Sequence, residues 1–167
     1  MRLWIDEMPE DGGISTNTII KEYDANANVK WFNGTLCLEL KIAPRTASNY
    51  SMINLKFTKN QSSKLKIIYH FSDLNEIVKS DIAIANDVVK TGIPGEFCSA
   101  FTQVFDELQA QNAFPSGTLE ILGGSYGHIG SSIMSFKIVL KILIKLLEQN
   151  EELMVANINS IILDGCK

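Results

Sequence analysis

The chain has 167 residues, 46% apolar and 20% charged, the proportions of a folded globular protein rather than a disordered one. Its 15 basic and 19 acidic residues leave a formal charge of −4, which argues against affinity built on broad neutralisation of phosphates. Length suits one domain, residues 1–167, with a substantial core.

The opening "MRLWIDEMPEDGG" holds Asp6, Glu7, Glu10 and Asp11 and no apolar segment. It therefore does not read as a secretory signal, and a cytoplasmic protein is expected. Two β-rich runs follow, "TIIKEY" and "VKWF". Asn33-Gly34 then predicts a hairpin from "VKWF" into "TLCLELKIA". In this second run Leu36, Leu38, Leu40 and Ile42 alternate with Cys37, Glu39 and Lys41, predicting one buried and one wetter face. "MINLKFT" and "KLKIIYHF" repeat the alternation across the polar link "KNQSS", which predicts a second hairpin. His70 falls on the opposite strand face from Tyr69 and Phe71 and reads as a half-exposed strand residue. Residues 73–91 fit either a helix or a strand.

Pro94 suits a first helical turn. Phe97, Phe101, Val104, Phe105 and Leu108 share one stripe, predicting an amphipathic helix over Gly95–Gln111. "TLEIL" predicts a strand at Thr118–Leu122, and "GGSYGHIGSS" reads as a loop. Ser131 and Ser132 are N-cap candidates for a helix from about Ser132 to Glu148. That helix is apolar nearly all round. Lys137, Lys141 and Lys145, spaced four apart, form its polar edge. The run Ile133–Leu147 is shorter than the ~20 residues a bilayer crossing needs. Residues 148–167 add an element of unassigned type. The three cysteines, Cys37, Cys98 and Cys166, form no CxxC pair, so neither a zinc site nor a disulfide framework is indicated.

Within residues 92–147, Gly92 and Pro94, Gly124-Ser125-Tyr126, Ser131-Ser132 and Phe136-Lys137-Ile138 occur in the order and spacing of a known family. This portion resembles the fourth domain of elongation factor G and its relatives; "TLCLELKIAP" resembles an earlier strand of the same domain. The resemblance implies an α+β fold: a mixed or antiparallel sheet, two helices packed on one face, and a left-handed βαβ crossover. It also implies a tip that reaches ribosomal and transfer RNA, formed by the histidine-bearing turn and a second, Gly/Arg-rich loop. Ser125 and Tyr126 match that turn. Gly127 stands where the family has histidine, and His128 comes one place later. The corresponding second loop here is "WFNGTL".

The expected function is therefore that of a non-enzymatic binding protein, a free-standing relative of that tip domain meeting the ribosome or another RNA-bearing partner. A small acidic protein-binding module, such as an immunity protein neutralising a basic toxin, is the alternative. No GxxxxGK[ST] phosphate loop is present, and no cofactor, metal or membrane partner is indicated. The candidate contact residues are Ser125, Tyr126, Gly127 and His128 at the tip, with Lys137, Lys141 and Lys145 for phosphate or partner contact. A Ser–His pair around His128 is the enzymatic reading, but no third residue that would orient the base is identifiable.

Overall fold

A computed structural model describes residues 1–7, 17–42, 49–72, 76–83, 86–149 and 151–165. It shows a mixed α+β architecture with a seven-stranded sheet and three helices. The strands are β1 (Arg2–Ile5), β2 (Asn17–Asp24), β3 (Gly34–Ile42), β4 (Asn49–Lys59), β5 (Lys64–Phe71), β6 (Val89–Thr91) and β7 (Gly117–Gly127). The helices are α1 (Cys98–Ala110), α2 (Ile133–Leu147) and α3 (Glu151–Gly165). The sheet order is β1-β3-β4-β7-β5-β2, with β6 paired to the later part of β7.

Alternation builds the core. Leu36, Leu38 and Leu40 of β3, Ile53, Leu55 and Phe57 of β4, Leu65, Ile67, Tyr69 and Phe71 of β5, and Leu119 and Ile121 of β7 point to one face. Both α1 and α2 bury against that face. Phe101 meets Tyr69 and Phe71 edge-on at ring centroid distances of 6.1 and 5.9 Å, and Phe97 lies 4.7 Å from Phe136 of α2. The predicted aromatic stripe is thus the inner face of α1, with a 3-10 turn at Gly95–Phe97 leading into it. Because α2 lies between sheet and α3, Val139, Leu140, Ile142, Leu143, Leu146 and Leu147 are all buried, and Ile162 of α3 joins the same cluster.

The expected hairpins do not form. Residues 29–33 are irregular and β3 pairs instead with β1 and β4. The Trp31 ring is drawn into the core beside Phe57 and Phe114, the Phe32 N–H donates to the Leu147 carbonyl at 2.6 Å, and Asn33 Oδ1 accepts the Lys59 N–H at 2.8 Å. Asn33 serves as a tie between chain segments rather than as a turn residue. β4 and β5 are not neighbours either. Strand β7 lies between them, antiparallel to β4 and parallel to β5.

The segment "GGSYG" is strand rather than loop, for β7 runs on to Gly127. Glycine is needed there because β4 comes very close: a Cβ on Gly124 would lie 2.0 Å from the Met52 carbonyl oxygen. A bulge leaves Leu122 without a partner, since Asn54 pairs Gly123 and Leu55 pairs Ile121. Of residues 73–91, the described ones contain no helix; Ile77 bridges Lys90, and residues 89–91 form β6.

Residues 76–83 cross the sheet face away from the helices. Val78, Ile82 and Ala83 cover Cys37, Tyr50 and Met52, so the face read as wetter in β3 is covered too. Glu39 is only 4% exposed as a result.

Candidate functional site

The turn after β7 was the foremost candidate, and its polar groups are committed internally. Asp87 carboxylate oxygens accept the Ile129 N–H at 2.9 Å and the Gly130 N–H at 3.1 Å. The His128 N–H donates to the Val88 carbonyl at 2.9 Å. Ser131 Oγ accepts the Gly127 N–H and donates to the Tyr50 carbonyl. Ser132 caps α2 and forms a capping box with Ser135, so of the two expected cap candidates Ser132 is the cap. A turn able to cradle an anion would present free N–H groups. Here a carboxylate from the same chain already holds two of them.

Ser125 and Tyr126 are buried within β7, 1% and 7% exposed, so they do not form part of an exposed tip. Tyr126 belongs to the helix-side core, packed near Phe97. Gly127 is buried against Asp87; a Cβ there would lie 2.1 Å from Asp87 Oδ2. His128 alone of the four is exposed, and its ring makes no hydrogen bond among the described residues. The exposed surface around it is apolar: Ile129 is 77% exposed and Met134 57%, with Val88 and Ile133 also exposed.

The lysine edge of α2 faces α1. Glu107 accepts from Lys141 at 2.6 Å and lies 3.7 Å from Lys137, which also donates to Gln103 at 3.1 Å. The Lys141 hydrogen bond holds the Glu107 carboxyl below its ordinary range. Lys145, next in the row, is exposed. Lys141, Lys145, Glu107 and Glu148 rim a groove between the two helices; burial raises the Glu148 carboxyl above its usual range, against the opposing charge of Lys145. A row that looked like a phosphate-facing stripe is, for two of its members, an interhelical seam.

Residues 25–33 and the turn at residues 128–130 lie at opposite ends of the sheet. Gly34 pairs Phe57 and Gly117 pairs Lys59, whereas Tyr126 pairs Ser51. The two loops that the family resemblance would join in a single tip are therefore apart.

Two polar constellations escaped the sequence reading. On the covered part of the far face, Glu39 Oε1 accepts from Tyr50 Oη at 2.9 Å and Ser80 Oγ at 2.7 Å, with Arg2 3.9 Å from Oε2. Burial, then the charge of Glu39, raises the Tyr50 hydroxyl and pushes the Cys37 thiol up to about 12. Arg2 continues to Asp81 at the surface. On the uncovered part, Thr18, His70 and Glu120 form a chain: Glu120 Oε1 lies 2.8 Å from His70 Nε2, and Thr18 Oγ1 lies 3.1 Å from Nδ1. With the carboxylate accepting from Nε2–H, Nδ1 is left to accept from the hydroxyl. All three side chains lie on the face away from the helices and tie β2, β5 and β7 together. His70 is part-buried, as its strand position suggested. Its partners are distant in sequence, and only strand order brings them within reach.

Among the described residues no cluster of three His, Cys, Asp or Glu side chains could hold a metal, and no helix is long and apolar enough to cross a membrane. No family model, curated protein or solved structure matches the chain significantly.

Proposed function

We propose that this chain is a non-enzymatic binding protein that meets its partner with the end of the sheet where β7 gives way to α2. The observation carrying this reading is the contrast at that turn. Its hydrogen-bonding groups are spent on Asp87, Ser131 and Ser132, while Ile129 and Met134 stand outward. Exposed apolar side chains gathered beside a pinned loop suit contact with another protein surface.

The same proposal makes the chain a free-standing relative of the elongation factor G fourth domain. The order of motifs from Gly92 to Ile138 supports this, as do two helices sharing one sheet face and β5 running parallel to β7 with α1 between them in sequence. The kinship implies that the β5–α1–β7 crossover is left-handed, against the strong general preference for the right-handed form. An experimental structure with the ordinary hand would end the kinship and leave the apolar contact surface untouched.

A second reading, an acidic module that neutralises a basic partner, is favoured by the net charge of −4, since charge complementarity speeds encounter. Ribosome pelleting at low and high salt separates the two. Association that falls steeply with salt marks phosphate contacts on the ribosome. Capture of one stoichiometric basic protein, with none of the chain in the ribosomal pellet, marks the second. In either case Ile129→Asp with Met134→Asp should abolish capture without lowering the melting temperature; undiminished capture would refute the contact surface.

A further inference from the structure

At the end of the sheet remote from that turn, β3 and β7 begin and β4 ends. A cavity of about 250 Å³ opens there between residues 27–31, the end of β4 and residues 115–116. Trp31, Phe57 and Pro115 are buried in its wall, and Val29 is half-buried beside them. Lys30, Lys59, Asn60 and Ser116 supply the polar part.

The polar groups left over there are mostly donors. Among the described residues no acidic side chain lines the cavity. Neither Lys30 nor Lys59 has a carboxylate partner among the described residues. Asn60 gives its carboxamide oxygen to the Ser62 N–H, which leaves its NH₂ as a donor. Trp31, 6% exposed, is the largest apolar side chain of the wall. Two ammonium groups and an amide surround an aromatic wall, in a protein whose overall charge is negative. What complements such a wall is an acceptor-rich anion on a flat apolar body. At about 30 Å³ per water-sized group, the volume admits roughly eight, enough for one substituted ring.

We propose that this cavity is a binding site for a small organic anion, a carboxylate or phosphate borne on a single ring. The ring lies against Trp31, Phe57 and Pro115, and the anionic head meets Lys30 and Lys59. The site is independent of the partner surface at the other end of the sheet.

The chain has two tryptophans, Trp4 and Trp31, so the indole N–H resonances of ¹⁵N-labelled protein read the site directly. Phenyl phosphate and benzoate serve as probes, with benzyl alcohol as the neutral counterpart and inorganic phosphate as the bare head. The expected result is a saturable shift of the Trp31 indole signal with phenyl phosphate, benzoate or both, and none with benzyl alcohol, while Trp4 stays still. The stronger of the two anionic probes identifies the head group. Lys30→Ala with Lys59→Ala should weaken binding by about tenfold or more, as loss of roughly 1.4 kcal/mol would give. Both side chains are exposed, so the melting temperature of that variant should match the parent; Lys30→Gln and Lys59→Gln singly repeat the test if it does not. No saturable Trp31 shift, an equal response to benzyl alcohol, or undiminished binding by the lysine variants would each overturn the proposal.

Discussion

Asp87 clamps Ile129: its carboxylate takes the Ile129 N–H at 2.9 Å across 42 residues of sequence, and its second oxygen takes the next N–H, that of Gly130. Charge-assisted bonds of this kind are the stronger class, and their loss strands two donors. Asp87→Ala should therefore cost about 1–3 kcal/mol in urea unfolding. Amide exchange should accelerate first at Ile129 and Gly130. Gly127→Ala should do the same by another route, because its methyl would displace the carboxylate.

Gly124→Ala should be far more damaging. The added Cβ would lie 2.0 Å from the Met52 carbonyl oxygen, inside the β4–β7 pairing at the centre of the sheet. Circular dichroism should show either no cooperative folding or a large fall in melting temperature. A near-native melt would mean that β4 and β7 are not adjacent at this position.

Glu39 binds the crossing segment through Ser80 and the sheet through Tyr50. Glu39→Ala should leave both hydroxyls short of an acceptor, at about 1–3 kcal/mol for the buried Tyr50 hydroxyl and less for the part-buried Ser80. Glu39→Gln keeps an acceptor oxygen and should cost much less. The ratio of the two in denaturant titrations tests whether the carboxylate acts as an acceptor here rather than as mere volume.

Cys37 gives a pH prediction. Its thiol is raised from 9.0 to about 12, chiefly by burial. A group raised in the fold contributes stability that is intact below its unfolded value and lost as pH climbs, because the unfolded chain ionises first. Stability should thus decline from about pH 9 toward pH 12, with Tyr50 and Tyr69, also raised by burial, adding to the slope. At pH 8 Cys37 should resist thiol reagents until the protein unfolds, whereas the part-exposed Cys98 should react in the native state.

Glu107 works in the opposite sense. Lys141 depresses its carboxyl, so its contribution is present above the ordinary range, near 4.5, and fades as pH falls through the lower folded value. The group is exposed, and such pairs contribute about 0–1 kcal/mol. Glu107→Gln should flatten the acid limb slightly and free Lys137 and Lys141, seen as greater side-chain mobility by NMR.

Where periodicity decides structure, the sequence was readable. The Phe97–Leu108 stripe, the near-continuous apolar face of α2 and the Ser132 cap depend on neighbours three or four residues away. Strand order does not. "VKWF" has the composition of a strand, yet Trp31 gains more by filling the core beside Phe57 and Phe114 than by pairing. "GGSYG" looked like a loop because glycine disfavours strands, a cost accepted where a neighbouring backbone leaves no room for a side chain. Of the candidate residues, His128 was legible as exposed. Ser125 and Tyr126 were not legible as buried: residues 76–83, which lie over Ser125, had no clear periodic signature, and Tyr126 is buried by Phe97 from outside its own strand. The lysine row was visible as a row, but the acidic residue it faces is on another helix.

The position of β7 bears on how the chain is made. Residues 117–127 sit between two strands that end at Lys59 and Phe71, well before Gly117 in the chain. During synthesis, β4 and β5 emerge with their inner edges bare and must wait for the strand that fills the gap. Such distant pairing slows folding and prolongs the exposure of sticky edges. A nascent chain stalled before Gly117 should therefore recruit chaperones, and one released after Leu147 should not.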